Sequence, residues 1–209
     1  ADGVASWQRK FLWNWDIPTS RNLAASSIGL MRSNEQRMRM ERETVNLKRI
    51  SQEDLAILVE LLTDDTVKQT YMVPDFASPA EAAKLAQRLI DYSQEENLRT
   101  KGIYAGDQLI GILNQTEVME DRIELGYAIL PHYHNQGYGT EALRIAIGYC
   151  FNHGFREVMT GAFEENLASI RIMMKNGMQK LDRQDWIAYR GKTHMCVYYS
   201  ICRNQQCCK

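Results

Sequence analysis

The sequence lacks the features that mark several common classes of protein. No apolar run approaches the roughly 18 residues that a membrane-spanning helix needs, so we expect no membrane segment. The formal net charge is only −1, and residues 43–209 are mildly acidic because residues 1–42 carry seven Lys/Arg against four Asp/Glu. Since no strongly basic surface is available to release counterions, no nucleic-acid partner is expected.

Cysteine is irregularly spaced along the chain. There are five cysteines, an odd number without a framework-like spacing, which favours reduced thiols and a cytoplasmic location. Zinc binding by the four C-terminal cysteines is the alternative, but the chain has no C-x-x-C pair. The four histidines are better interpreted as surface or loop residues, so no metal is expected.

The overall composition, with 44% hydrophobic and 24% charged residues, is typical of a soluble globular chain with a buried core. Residues 1–40 differ from the rest because they hold three of the four tryptophans and end in an arginine-rich run. We predict that they form a poorly ordered extension or an added leader, with docking through the aromatics as the alternative. One domain is expected over residues 41–203, followed by a short tail at 204–209.

Regular patterning begins after the first 43 residues, where alternation predicts a strand. Ser51, followed three residues later by an acid, predicts the start of a helix. Ser78, Pro79 and Glu81 predict a second helix that opens with a capping box and runs to about Glu95.

The remaining elements complete an α+β pattern. Three strands joined by short polar turns predict an antiparallel meander over residues 100–130. The order β-α-α-β-β-β-α-β-α-β-β predicts a mixed, mostly antiparallel twisted sheet flanked by helices. After the meander we expect a helix, a strand, a helix and a hairpin, at 140–153, 157–163, 169–176 and 178–201.

The stretch HNQGYGTEAL places Gly137 and Gly139 at the start of a predicted helix. Glycines there leave main-chain N–H groups approachable, which is a common way of binding phosphate. No Walker A motif is present. The dinucleotide fingerprint G-x-G-x-x-A is matched through Ala142, with Glu157 as a candidate ribose ligand. Against it, the preceding strands form a meander, the strand ends early at Leu130, and Glu157 opens a strand instead of closing one.

The wider run from Glu124 to Lys180 resembles the GCN5-related N-acetyltransferase (GNAT) superfamily, and within it the branch of ribosomal-protein alanine N-acetyltransferases. The likeness rests on the strand before the glycine loop, the loop itself, and Asn166-x-x-Ser169 leading to a Gly-Met pair. It extends over about residues 44–201. The resemblance implies the acyl-CoA N-acyltransferase fold, acetyl-CoA as co-substrate, and transfer of acetyl to a primary amine on a protein N-terminus or a small molecule.

The resemblance also implies which residues bind acetyl-CoA. Main-chain amides at the helix start would hold its pyrophosphate, and the strand before the loop would splay from its neighbour and pair with the pantetheine arm. The family prefers Gln or Arg where this chain has His134. Tyr138 is expected to pack more than to react. The candidate binding residues are Ile129, Leu130, His134, Gln136, Gly137, Tyr138, Gly139, Thr140 and Asn166. For Asn166, a helix cap is the competing interpretation.

For catalysis, Glu124 is the candidate base that removes a proton from the amine, with an exposed strand glutamate as the alternative. Glu164 and Glu165 are weaker candidates and are better interpreted as solvated loop acids. Much of the superfamily protonates the departing thiolate with a tyrosine, but that position holds Met173. Ser169 is therefore the candidate donor to sulfur, with a helix cap as the competing interpretation.

A second class of function remains open at this stage. A module of the same fold that binds acyl-CoA without turnover would serve as a sensor or interaction domain, and Met173 and His134 both keep that alternative in play. Under either interpretation we expect no membrane association and a monomer or homodimer.

Overall fold

The structure is a computed structural model that describes residues 43–203, so the expected extension at 1–40 and the tail at 204–209 lie outside the described residues. The element order confirms the predicted α+β pattern. One helix, α2, is additional, because Asp64 breaks the first helical run and accepts a hydrogen bond from the Val67 N–H at 2.8 Å. The elements are β1 Val45–Lys48, α1 Leu55–Thr63, α2 Asp65–Thr70, α3 Pro79–Ser93, β2 Thr100–Ala105, β3 Gln108–Met119, β4 Arg122–Ile129, α4 Tyr138–Asn152, β5 Glu157–Phe163, α5 Leu167–Lys175, β6 Gln179–Tyr189 and β7 Lys192–Cys202.

The strands form one sheet in the order β1-β2-β3-β4-β5-β7-β6. Only β4 and β5 run parallel, and every other pair in the sheet is antiparallel, which confirms the predicted mixed sheet. The parallel pairing covers only Arg122–Glu124 against Glu157–Met159. Beyond these residues the two strands diverge, so a gap opens in the middle of the sheet.

Helices cover both faces of the sheet, and apolar residues along β4 and just after it point alternately to the two faces. Ile123 and Leu125 pack with residues of α4 and α5, whereas Ala128 and Leu130 pack with residues of α1 and α3 on the opposite face. Burial of each large aliphatic side chain stabilises such a core by about 1.5–3 kcal/mol. The strand that borders the gap is therefore held firmly from both sides.

The helix starts agree with the sequence at one position and differ at another. The helix start predicted at Ser51 is confirmed: Ser51 caps a short 3-10 turn, Gln52–Asp54, that leads into α1, and Ser51 and Asp54 form a capping box. The capping box predicted at Ser78 is wrong: the Ser78 side chain makes no cap bond, and Glu81 accepts from the Ala77 N–H at 2.8 Å instead. Helix α3 also ends at Ser93, two residues before the predicted Glu95.

The cysteines are in two states. Cys150 and Cys196 are buried free thiols, as the sequence predicts. Cys202 is disulfide-bonded, so the expectation of reduced thiols is wrong at that position. Within residues 43–203, no helix combines the length and apolar character of a membrane span, and no group of three metal-ligating side chains is found.

Candidate active site

The gap between β4 and β5 opens into a cleft of about 420 Å³. That volume is within the usual range of about 300–1,000 Å³ for small-molecule sites. Its walls are formed by β4, β5, the loop before α4, the first turn of α5, and the end of α2. The cleft therefore joins the glycine loop to the middle of the sheet.

The main chain of β4 faces this cleft at alternate residues. The N–H of Leu130 donates to the Ile110 carbonyl on β3 at 2.9 Å. In an antiparallel pair the groups of the next residues point the other way, so the N–H and C=O of Tyr127 and Ile129 face the gap. The strand splay implied by the family resemblance is present, and Ile129 is placed to bind an extended ligand.

The structure corrects the expectation for Leu130. Its side chain is buried, its N–H is used by Ile110, and its carbonyl accepts from the Tyr133 N–H at 3.0 Å. Leu130 does not line the cleft. Sequence alternation identified the strand but not which residues direct their main-chain groups toward the gap.

The loop before α4 is held in an unusual conformation. Asn135 and Gly137 have positive φ angles of 61° and 83°. Gly137 is the N-cap of α4 and supplies no capping side chain. The first hydrogen bond inside the helix is that of the Glu141 N–H to the Gly137 carbonyl, at 3.1 Å. The helix start therefore directs amides and the positive end of its dipole toward the cleft, which Gly137, Gly139 and neighbouring residues line.

His134 fixes this loop to the strand. Its Nε2 atom lies 2.8 Å from the carbonyl oxygen of Ile129, so Nε2 carries the proton that is donated. Gln136 Nε2 donates to the His132 carbonyl at 2.8 Å, and Gln136 does not line the cleft. His134 lines the cleft at the position where the family prefers Gln or Arg.

The remaining residues of the glycine loop have distinct structural tasks. Tyr138 is buried and packs edge-on against Tyr133, with ring centroids 5.8 Å apart, as predicted. A Cβ at Gly139 would lie 2.8 Å from the Cδ1 atom of Ile172, so this glycine lets α5 pack against α4. The Thr140 carbonyl accepts from Asn176 Nδ2 at 3.1 Å, which joins the same two helices.

The first turn of α5 forms the opposite wall of the cleft. Asn166 is its N-cap, and Asn166 Oδ1 accepts from the Ser169 N–H at 3.1 Å. The helix-cap interpretation therefore applies to Asn166 and not to Ser169. Both residues line the cleft. The Ser169 Oγ atom lies 2.7 Å from the Tyr127 hydroxyl, which places two hydroxyl groups together beside the gap.

Sequence reasoning missed Tyr127. Burial raises the pKa of its hydroxyl well above the ordinary value, so it stays protonated. Met173, at the position where much of the superfamily has a tyrosine, is fully buried in the core. The available signal was the alternation of β4, which puts Tyr127 on the same face as Leu125 and α5.

Glu124 lies at the point where β4 and β5 separate, paired with Met159. It lines the cleft and only 4% of it is exposed, so the exposed-glutamate alternative is wrong. Burial raises the pKa of the Cys196 thiol to about 11, and the nearby Glu124 charge adds to this rise. Glu124 and Cys196 both line the cleft, and alternation along β4 puts Glu124 on the side of the sheet opposite to Tyr127.

Glu164 and Glu165 are exposed and do not line the cleft. Glu165 forms an ion pair with His194. A main-chain hydrogen bond and this contact lower the pKa of Glu165 below its ordinary value. These two acids are therefore surface groups, which agrees with the interpretation that the sequence favoured for them.

Residues after α2 close the far end of the cleft, and sequence reasoning did not find them. Tyr71 and Met72 line it, and the Tyr71 hydroxyl donates to Asn114 Oδ1 at 2.5 Å. The Tyr189 hydroxyl lies 3.3 Å from the Tyr71 carbonyl and 3.4 Å from both the N–H and the carbonyl of Val73. The β6–β7 hairpin thereby holds this segment against the sheet.

Two cations of α5 also line the cleft. Arg171 and Lys175 are exposed and four residues apart, so they project from one face of the helix. They lie on the helix that contacts the start of α4 through Ile172 and Gly139. The i, i+4 spacing of Arg171 and Lys175 in the stretch SIRIMMK was the sequence signal that both lie on one face of the helix.

Comparison with known proteins agrees with this geometry. Residues 44–179 match the family model of the acetyltransferase (GNAT) domain. The chain belongs to the GNAT acetyltransferase family, whose members transfer acetyl groups to amines, and it is an N-acetyltransferase. The resemblance of residues 124–180 and the expected acyltransferase fold are confirmed.

The chain is 26% identical over 146 residues to the uncharacterized N-acetyltransferase YoaA of Bacillus subtilis (strain 168), covering 68% of this chain and 82% of that protein. Its fold is similar to RimL, a ribosomal L7/L12 alpha-N-protein acetyltransferase solved in complex with coenzyme A. The TM-score is 0.65 at 18% identity, over 76% of this chain and 94% of that one. It is also similar to spermidine N-acetyltransferase from Vibrio cholerae in complex with CoA and spermine, with a TM-score of 0.64 at 16% identity over 76% and 95% of the two chains.

Proposed function

We propose that this chain transfers the acetyl group of acetyl-CoA to a primary amine in the cleft between β4 and β5. The observation that carries the proposal is the gap itself. One end meets the α4 start, where Gly137 supplies no capping side chain, and its sides carry Glu124 on one face of the sheet and the Tyr127–Ser169 pair on the other. Donor and acceptor can therefore meet there from opposite faces.

The cleft offers groups that suit each part of acetyl-CoA. The α4 start supplies amides for the pyrophosphate, because helix N-termini favour anions. The gap-facing N–H of Ile129 and main chain of Tyr127 suit the amides of the pantetheine arm. Arg171 and Lys175 suit a phosphate, and Asn166 borders the path between them.

The chemistry requires two proton losses from an ammonium acceptor. One proton must leave before the nitrogen can attack, and Glu124 is placed to accept it and pass it to solvent. The nitrogen lone pair then attacks the thioester carbon, and the carbon–sulfur bond breaks with its electron pair on sulfur. The second proton leaves as the amide forms, and the CoA sulfur takes up one proton overall. Ser169 supplies a hydrogen bond to the departing sulfur.

The acceptor would enter from the end formed by Tyr71 and Met72. RimL acts on a protein N-terminus, and the Vibrio cholerae relative was solved with a polyamine. We propose a primary amine of one of these classes, on a protein N-terminus or a small molecule, as the acceptor of this chain.

The test is incubation of the purified protein with isotopically labelled acetyl-CoA and a pooled set of peptides and small amines, with products detected by mass. Mass detection is preferable to thiol dyes because the chain has five cysteines. We expect labelled amide on at least one amine and none without protein. Tight acetyl-CoA binding without transfer to any amine would contradict the proposal and favour the silent binding module.

A further inference from the structure

The hydroxyl groups of Tyr127 on β4 and Ser169 on α5 contact each other beside the cleft. Tyr127 Oη lies 2.7 Å from Ser169 Oγ and 3.4 Å from the Ser169 carbonyl oxygen. Either hydroxyl has the geometry to donate. Which one does so decides where the serine proton points.

The helix and the two distances favour Tyr127 as the donor. Ser169 is in the first turn of α5, so its carbonyl already accepts from the N–H of residue 173 in the helical ladder. The carbonyl contact at 3.4 Å is also long for an O–H···O bond, whereas 2.7 Å is the usual distance. Tyr127 therefore donates to Ser169 Oγ. A serine hydroxyl has a single proton, so that proton is directed elsewhere, and the cleft is the open side.

We propose that Tyr127 is a positioning residue, whose hydroxyl orients Ser169 so that the serine O–H points at the thioester sulfur. The proposal rests on the proposed acetyl transfer and adds a residue to it. In the step concerned, the carbon–sulfur bond breaks and its electron pair remains on sulfur. The Ser169 O–H donates a hydrogen bond to that thiolate and keeps its own proton, and Tyr127 keeps its proton as well.

Tyr127 is suited to this task because it does not titrate in the working range. Burial raises the pKa of its hydroxyl above the ordinary value, so loss of its proton is disfavoured. It therefore acts as a permanent donor and not as the acid that protonates CoA. The neighbouring core position holds Met173, which has no hydroxyl to offer.

The experiment compares Tyr127→Phe, Ser169→Ala and the double variant by single-turnover acetyl transfer to the best amine found for the wild type. We expect Ser169→Ala to lower the rate about 100-fold, the scale for removing one donor to a developing negative charge. Tyr127→Phe should lower it about tenfold. Because Tyr127 acts through Ser169, the double variant should match Ser169→Ala within about twofold.

The matched control is Tyr149→Phe. It removes a hydroxyl that also makes a 2.7 Å bond, to the Glu96 carbonyl, outside the cleft. We expect its rate and acetyl-CoA affinity to equal those of the wild type. Acetyl-CoA affinity should also be unchanged in Tyr127→Phe, which separates positioning from binding.

Three results would overturn the inference: a wild-type rate for Tyr127→Phe, a double variant slower than Ser169→Ala by the full single effect, or a wild type that transfers acetyl to no amine. The last result would also overturn the proposed function, whereas the first two would leave it standing. Should Tyr127→Phe not fold, difluorotyrosine at position 127 keeps the shape and lowers the phenol pKa. Since the protonated hydroxyl is the donor, the rate of that variant should fall over the pH range in which its absorbance shows the phenol ionising, and a rate that holds through that ionisation would contradict the proposal.

Discussion

The Nε2 atom of His134 donates to the carbonyl oxygen of Ile129 at 2.8 Å, and this bond ties the glycine loop to the strand beside the gap. We expect His134→Ala to weaken acetyl-CoA binding about tenfold, because the loop loses one hydrogen bond that holds its shape. His134→Gln should bind nearly as the wild type, since a glutamine amide can donate to the same carbonyl. Calorimetric titration measures both, and equal weakening by the two variants would contradict this role.

Gly137→Glu should abolish acetyl-CoA binding. The new side chain adds bulk and negative charge where the pyrophosphate is proposed to lie, and like charges repel. It also places a non-glycine residue at a φ of 83°, at a cost of about 1–2 kcal/mol, so thermal unfolding must be measured alongside. The matched control is Gly148→Glu on the same helix, where an added side chain meets open space. If folded Gly137→Glu still binds acetyl-CoA, the pyrophosphate does not bind at this site.

Glu124→Gln should lower kcat by at least about 100-fold, the usual contribution of a positioned base, while the acetyl-CoA Kd stays unchanged. The side chain is buried in the cleft, and glutamine keeps its shape without accepting a proton. Glu164→Gln, at an exposed position outside the cleft, serves as the control. Normal turnover in Glu124→Gln would show that Glu124 is not the base and that solvent removes the proton.

Replacing both Arg171 and Lys175 by Ala should weaken acetyl-CoA binding and reduce its dependence on salt concentration. Exposed cations attract a phosphate through a field that salt screens within about 10 Å at 0.1 M. Lys180→Ala removes one positive charge at an exposed position outside the cleft and should change neither quantity. A salt dependence that is the same in the double variant and the wild type would place the phosphates elsewhere.

Tyr189→Phe should raise the KM for the amine about threefold to tenfold and leave the acetyl-CoA Kd unchanged. The lost hydroxyl contacts the main chain of Tyr71 and Val73 at the acceptor end of the cleft, and each such bond contributes about 1 kcal/mol. Arg190→Ala on the same hairpin breaks an exposed ion pair with Asp75 outside the cleft and is the control. Initial-rate kinetics with both substrates varied measures the amine KM. An unchanged amine KM in Tyr189→Phe would show that this hairpin does not contribute to acceptor binding.

The parts of the site that sequence could predict depend on local signals. Gly137 at the helix start, Asn166 as a helix cap and the alternation that buries Glu124 opposite Leu125 follow from spacing within a few residues. These signals act within one helical turn or one strand, so they can be recognised in the sequence without information on tertiary contacts.

The parts that could not be predicted depend on contacts between distant segments. Tyr127 and Ser169 are 42 positions apart, and Tyr189 and Tyr71 are 118 apart, so no local pattern connects them. The expectation that Leu130 lines the cleft was wrong for another reason. A strand pattern gives the directions of the side chains but not which main-chain groups are hydrogen-bonded to a neighbouring strand.

The seven strands behave as two smaller sheets, β1–β4 and β5–β7, that share only three residue pairs at Arg122–Glu124. An extended pantetheine lying along the free inner edge of β4 would occupy the place of a missing central strand. Ligand occupancy would then slow hydrogen exchange in both halves together and raise the force needed to pull them apart, so the co-substrate would serve as a temporary structural member of the fold.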